Sequence, residues 1–165
     1  MSFTRKIVGN LEFNQEEGEI KHVRTGERLA KFASKFVVIN MHKASTDAIA
    51  IDSTGVKYQQ RAFKAIDELV THLKKVIMDV YADEPSATDA VVRVGLYCVD
   101  DAEWLGYVEY SGDFGFKSFE VSGNVLRQHK EHRITVRIEV MTASATSGAT
   151  QNIVERIIYF VYDFT

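Results

Sequence analysis

The sequence predicts an α+β domain: a mostly antiparallel sheet of about seven to nine strands, with one long amphipathic helix packed on one face and a short helix near the N-terminus. Three observations predict it. Within residues 56–81, Phe63, Ile66, Val70, Leu73, Ile77 and Val80 recur at alternating spacings of three and four, Leu69 and Val76 widen the stripe, and Arg61, Lys64, Glu68, Lys75 and Asp79 lie opposite. That is the period of a one-sided helix. Within 133–141, Ile134, Val136, Ile138 and Val140 alternate with Thr135, Arg137 and Glu139, the period of a half-buried strand. The rest of the C-terminal half reads as strands at 90–99, 104–110, 114–121 and 152–164, punctuated by Ser111, Gly112 and Asp113 and by a polar connection over 123–131.

The N-terminal elements follow the same reasoning. Residues 5–13 place Ile7, Leu11 and Phe13 on one face and Lys6, Asn10 and Glu12 on the other, a strand; 14–18 turns the chain and 19–24 returns. Leu29, Phe32, Ala33 and Phe36 have helical spacing, so 27–36 is the short helix. Strands are expected at 36–41 and 48–51. Ser53 or Thr54 caps the long helix, because its first amides need an acceptor, and Pro85 stops it. A right-handed crossover through that helix would make 48–51 and 90–99 a parallel pair. Residues 142–150 are small and polar, too poor in apolar surface to order themselves, and are expected to form a mobile loop.

With 165 residues the expectation is a single domain over 1–165. A net charge of −3 provides no general attraction for phosphate backbones or anionic lipid. The one cysteine, Cys98, excludes an internal disulfide and any multi-cysteine zinc site; in an apolar run it reads as a small buried hydrophobe. No apolar leader follows the first charges and no run reaches membrane-span length, so a cytoplasmic chain, or one assembled into a particle, is expected. No cofactor is expected.

The segment Ile49, Ala50, Ile51, Asp52, Ser53, Thr54, Gly55 is an apolar strand ending in aspartate. It resembles the first catalytic strand of DDE transposases and other ribonuclease-H-like nucleases. The resemblance implies a metal-dependent phosphoryl-transfer site in which Asp52 joins Asp100 or Asp101, from the end of another strand, around two ions. The plainer reading makes Asp52 a helix cap and Asp100 and Asp101 a turn.

His129 and His132 stand three apart in a charged connection; such a pair can share a metal, but no third ligand is near in sequence. Pairing Cys98 with a histidine is only combinatorial. Lys21, Arg24, Arg28, Lys31 and Lys35 make a local basic patch that would suit a nucleic-acid phosphate or an acidic partner, among glutamates that would equally make a mixed solvated face. The terminal strand is apolar on both faces: Ile158, Phe160, Tyr162 and Phe164 on one, Ile157, Tyr159 and Val161 on the other. Its second face needs a cover, either another subunit or a closed or two-layer sheet within the one chain that buries both faces without a partner.

These features favour a non-enzymatic assembly subunit that self-associates or binds another protein subunit, with Ile158, Phe160, Tyr162, Phe164 and Tyr159 at the interface and a phage-tail or virion component as its concrete form. The alternatives are the nuclease built on Asp52 and a small-ligand domain with a pocket between helix and sheet.

Overall fold

The computed structural model describes residues 5–14, 19–31, 35–41, 48–62 and 72–163. Over these residues the chain is nearly all strand: β1 (Arg5–Val8), β2 (Leu11–Asn14), β3 (Glu19–His22), β4 (Arg28–Lys31), β5 (Lys35–Met41), β6 (Ile49–Ala50), β7 (Gly55–Arg61), β8 (Leu73–Ala82), β9 (Val91–Cys98), β10 (Glu103–Ser111), β11 (Gly115–Ser122), β12 (Ile134–Thr142), β13 (Thr150–Gln151) and β14 (Ile153–Asp163). One short helix, α1 (Gly123–Gln128), follows β11.

Two four-stranded sheets face each other, in the orders β11-β8-β14-β5 and β10-β9-β12-β7, with every pair antiparallel. The pairing is nested. β9 pairs with β10, β8 with β11, β7 with β12 and β5 with β14, as if one long hairpin with its tip at β9–β10 had been wound into two sheets. This is the eight-stranded double-sheet jelly roll. Its interior holds Val92, Val94 and Leu96 from β9, Val136, Ile138 and Val140 from β12, Met78 and Val80 from β8, and Ile158 and Phe160 from β14.

A third layer covers the outside of the first sheet. β1-β2-β3-β4 form their own antiparallel sheet, in which Val8 pairs with Leu11 across a tight turn where Gly9 has φ +58°. Leu11, Ile20 and Leu29 from it bury against Ile77, Ile157, Tyr159 and Val161, each such side chain contributing roughly 1.5–3 kcal/mol on burial. Polar groups reinforce the contact. The Asp79 carboxylate, fully buried on β8, takes hydrogen bonds from Asn10 Nδ2 (2.7 Å) and the Ser118 hydroxyl, and pairs with His22 Nε2 (2.8 Å) and Arg24 (2.7 Å).

Several expectations are corrected here. The class is all-β, not α+β. The long helix over 56–81 is absent where the chain is described: 55–61 and 73–82 are the strands β7 and β8, and 63–71 lie outside the described residues. Because β8 lies in the middle layer, Val76, Met78 and Val80 face one core while Ile77 faces the other. A strand buried on both faces loses its alternation, and an unbroken apolar run satisfies a three-four spacing as readily as any other. The ligand pocket between helix and sheet loses the helix it required.

The helix over 27–36 is replaced by β4 and β5; Leu29 and Phe36 lie on different strands in different sheets, so their helical spacing was coincidental. The single strand over 5–13 is a hairpin. No pair among the described strands is parallel. Finally, the loop over 142–150 is tied down. Ser144 Oγ and Ala145 N donate to Asp89 (2.5 and 2.8 Å), Gly148 N donates to Asp52 (2.8 Å), and Thr150 N donates to Ser86 Oγ (2.8 Å).

Candidate functional site

Two arrangements carry chemistry beyond packing. The first lies on the sheet face turned away from the jelly-roll core. Strand alternation sends Arg93 and Tyr97 of β9, Arg137 and Glu139 of β12, and Tyr107 and Glu109 of β10 outward, since their neighbours Val92, Val94, Leu96, Val136, Ile138 and Val108 fill the interior. A register shift between Trp104 and Gly106 in β10 brings Trp104 to the same side. The result is a lattice of rings and guanidinium groups. Arg93 lies 4.0 Å above the Tyr107 ring and 5.5 Å from Trp104; Arg137 lies 4.0 Å above Tyr97 and 5.7 Å from Trp104. Trp104 meets Tyr97 and Tyr107 edge-on at 5.3 and 5.7 Å. Glu109 pairs with Arg93 at 2.6 Å and Glu139 with Arg137 at 2.8 Å. Gly95 makes room for this surface, because a Cβ there would stand 2.2 Å from the Gly106 carbonyl and 2.6 Å from the Tyr107 Cα.

The second arrangement sits where β9 ends and β12 begins. Cys98, the last residue of β9, pairs with Ile134 of β12, so the β9–β10 turn and the α1–β12 connection meet. Asp101 comes from the turn, beside Ala102, whose φ of +55° is the only positive value at a non-glycine residue among the described ones. His129 caps the end of α1, its amide donating to the Leu126 carbonyl, and His132 N donates to the His129 carbonyl at 2.9 Å. The Asp100 carboxylate accepts from the Arg133 amide and fixes the connection to the turn.

Asp101 Oδ2 then lies 2.8 Å from His129 Nδ1, 2.5 Å from His132 Nδ1 and 3.2 Å from Cys98 Sγ. The two Nδ1 atoms are 3.4 Å apart, and Cys98 Sγ is 3.6 Å from His132 Nδ1. On its far side, His129 Nε2 faces Glu103 at 3.3 Å. Cys98 and His129 are buried, His132 is half-buried and Asp101 is exposed. Burial pushes the Cys98 thiol up, while the thiol and the two imidazoles beside Asp101 hold its carboxyl below the usual range. One thiol, one carboxylate and two imidazoles, all within 4.8 Å of one another, make a donor set that can hold a metal ion.

The residues singled out by sequence are thus partly united and partly scattered. Asp101, His129 and His132 converge, and Cys98 joins them. Asp52 does not. It hydrogen-bonds Gly148 N beyond the Thr142 end of β12, whereas the cluster lies at the Ile134 end, roughly 25 Å away along a nine-residue strand. Asp52 and Asp100 or Asp101 therefore cannot share a pair of ions, which removes the nuclease reading. The basic patch is largely neutralised in place. Lys21 and Arg28 pair with Glu19, and Arg24 pairs with Asp79 while lying over Phe116 at 4.1 Å. The side chains of Lys31 and Lys35 lie outside what is described.

Of the expected interface, Ile158, Phe160 and Tyr162 are in the jelly-roll core and Tyr159 is in the second core; Phe164 lies outside the described residues. The strand's second face is covered by the chain's own β1–β4 sheet, so its double apolarity requires no partner. Sequence reasoning passed over the guanidinium groups of Arg93 and Arg137 as partners for the Trp104, Tyr97 and Tyr107 rings, although the alternation of Arg93 with Val92 and Val94 and of Arg137 with Val136 and Ile138 marked these positions as outward.

No known protein family matches the chain and no curated protein does. Among solved structures it is similar to a pilus protein of Bacillus endospore appendages described as disulfide-linked (14% identity, 81% of this chain and 93% of that one, TM-score 0.40). It is also similar to the coat protein of Tobacco streak virus (14%, 83% and 92%, 0.40) and to a chain of infectious bursal disease virus strain Gx (8%, 82% and 34%, 0.45). Likenesses this distant assign neither a family nor an activity.

Proposed function

We propose that the chain is a non-enzymatic assembly subunit, a jelly-roll building block that packs against further copies of itself through the outer face of β10, β9 and β12. The observation that carries this reading is the ring–guanidinium lattice of Trp104, Tyr97, Tyr107, Arg93 and Arg137. Tryptophan, tyrosine and arginine are the residues that dominate binding energy at protein interfaces, because each brings a large rigid apolar surface with a polar handle. A second copy is the occupant favoured by charge. The face carries two arginines and two glutamates paired within the chain, so two copies can meet on it across a two-fold axis without like-charge repulsion, and it has no surplus positive charge for phosphate. A virion coat is the finer form of this reading, supported by an architecture that capsid subunits use.

Trp104 is the chain's only tryptophan and reports on the face directly. Light scattering and Trp104 emission are to be followed across a dilution series. Assembly predicts a mass that rises with concentration together with a blue shift of the emission as Trp104 leaves water. Tyr107→Glu should shift that transition to roughly 30-fold higher concentration, the effect of about 2 kcal/mol at an interface hot spot. A monomer with unchanged emission up to roughly 1 mM, where association would be worth no more than about 4 kcal/mol, would sink the proposal.

A further inference from the structure

We propose that Cys98, Asp101, His129 and His132 form a four-coordinate site for a transition-metal ion, zinc(II) by its donor set, that clasps the β9–β10 turn to the α1–β12 connection. The inference stands on this cluster alone and does not depend on the assembly reading.

Geometry is the first support. Metal–donor bonds of about 2.0–2.3 Å in a tetrahedral site put neighbouring donor atoms roughly 3.3–3.6 Å apart. Three separations already meet that spacing or fall just short of it: 3.4 Å between the imidazoles, 3.6 Å from Cys98 to His132 and 3.2 Å from Cys98 to Asp101. The two Asp101–imidazole contacts, 2.8 and 2.5 Å, are of hydrogen-bond length. The centre opens when that one carboxylate oxygen withdraws by about 1 Å and Cys98 and His129, which lie within 4.8 Å of each other, close to the same spacing.

The second support is that protons alone satisfy the cluster poorly. A single oxygen, Asp101 Oδ2, faces three donors at once, and the two Nδ1 atoms face each other. Glu103 sharpens the conflict. His129 lies between two carboxylates, with Nε2 3.3 Å from Glu103 and Nδ1 2.8 Å from Asp101; a neutral ring donates to only one of them, and when it donates to Glu103 its Nδ1 lone pair faces the Asp101 oxygen. A cation between them resolves this, and an outer carboxylate on the remote nitrogen is the usual way in which a metal-bound histidine is oriented.

The donor types set the ion. Sulfur and imidazole nitrogen favour zinc over magnesium or calcium, which take oxygen ligands. On binding, the Cys98 thiol gives one proton to solvent and the imidazoles bind neutral; thiolate and carboxylate then balance the dication, and the site has no net charge, as suits its half-buried position. All four positions are filled by protein, which is the pattern of a structural rather than a catalytic centre.

The test is a cobalt(II) titration of chelator-stripped protein, with metal content and mass measured together. The expected result is one ion per chain, a thiolate-to-cobalt charge-transfer band with tetrahedral visible bands, displacement by zinc(II), and a higher melting temperature with zinc. Cys98→Ser should lose the charge-transfer band. His132→Ala, a partly exposed position chosen so that the fold survives, should weaken binding more than tenfold, and Glu103→Ala by about 10–100-fold through loss of the outer partner. The proposal is overturned if wild type shows no charge-transfer band, if folded His132→Ala (judged by near-ultraviolet circular dichroism) binds cobalt as tightly as wild type, or if one ion is shared by two chains.

Discussion

Protonating or replacing Asp79 should loosen the N-terminal sheet from the jelly roll. Burial alone would raise the carboxyl pKa, but the hydrogen bonds from His22, Ser118 and Arg24 outweigh it and bring it from 3.8 down to about 2. A folded-state pKa below the unfolded one stabilises the protein above the unfolded value, and that stability is lost as pH falls through the folded value. The Asp79 contribution is therefore complete above about pH 4 and disappears toward pH 2. A shift of nearly two units corresponds to about 2 kcal/mol. Urea unfolding of wild type and Asp79→Asn at a series of pH values isolates it, because acid losses at distant carboxylates are common to both and cancel in the difference. The gap between the two proteins should shrink by about 2 kcal/mol between pH 4 and pH 2. Asp79→Ala, which strands several buried donors, should cost more at neutral pH, about 3–5 kcal/mol. A gap that stays constant with pH would refute the assignment of the charge to Asp79.

Two further outcomes follow from single side chains. Arg156 is fully buried on β14 with its guanidinium 4.0 Å above the Tyr58 ring, and among the described residues Tyr58 is the polar group that faces it and no carboxylate pairs with it; burial lowers its pKa. Arg156→Met should be neutral or stabilising by roughly 1–4 kcal/mol in urea unfolding, and a loss of several kcal/mol would mean that the cation is paired. Asp89→Ala removes the acceptor that holds Ser144 and Ala145, so amide exchange at Ala145 and cleavage of 142–150 by protease should accelerate toward the values of a mobile loop, while unchanged exchange would show that Asp52 and Ser86 suffice.

The limits of sequence reading can be traced to individual segments. β9 and β12 were legible because each has one face in the core and one outside, and their alternation survives. β8 was not, because it is sandwiched between two layers, and Ile77 is as buried as Val76 and Met78. The second face of β14 was recognised as needing a cover, but which cover was decided by Leu11, Ile20 and Leu29, more than a hundred residues away in the chain. Residues 142–150 have the composition of a free loop, yet Asp52, Ser86 and Asp89 capture them through backbone amides and a serine hydroxyl, groups that no hydropathy pattern registers.

The prospective metal cluster shows the same division. Sequence supplied His129 and His132 as a pair at short spacing and Asp101 as a strand-end carboxylate. Cys98 read as a buried hydrophobe because its neighbours Val94, Leu96 and Val99 are apolar. What the sequence determined by itself was local: strand periodicity wherever one face stayed wet, turn positions at Gly and Asp, the charge balance and the types of donor atoms available. What only the tertiary structure decided was which of these meet. The antiparallel register of β9 on β12 sets Cys98 beside Ile134 and so brings the two connections together, and the same β12 strand holds Asp52 and Asp101 at opposite ends. Register and layer order are fixed by contacts between segments remote in the chain, summed over a whole sheet, and no short window of residues contains them.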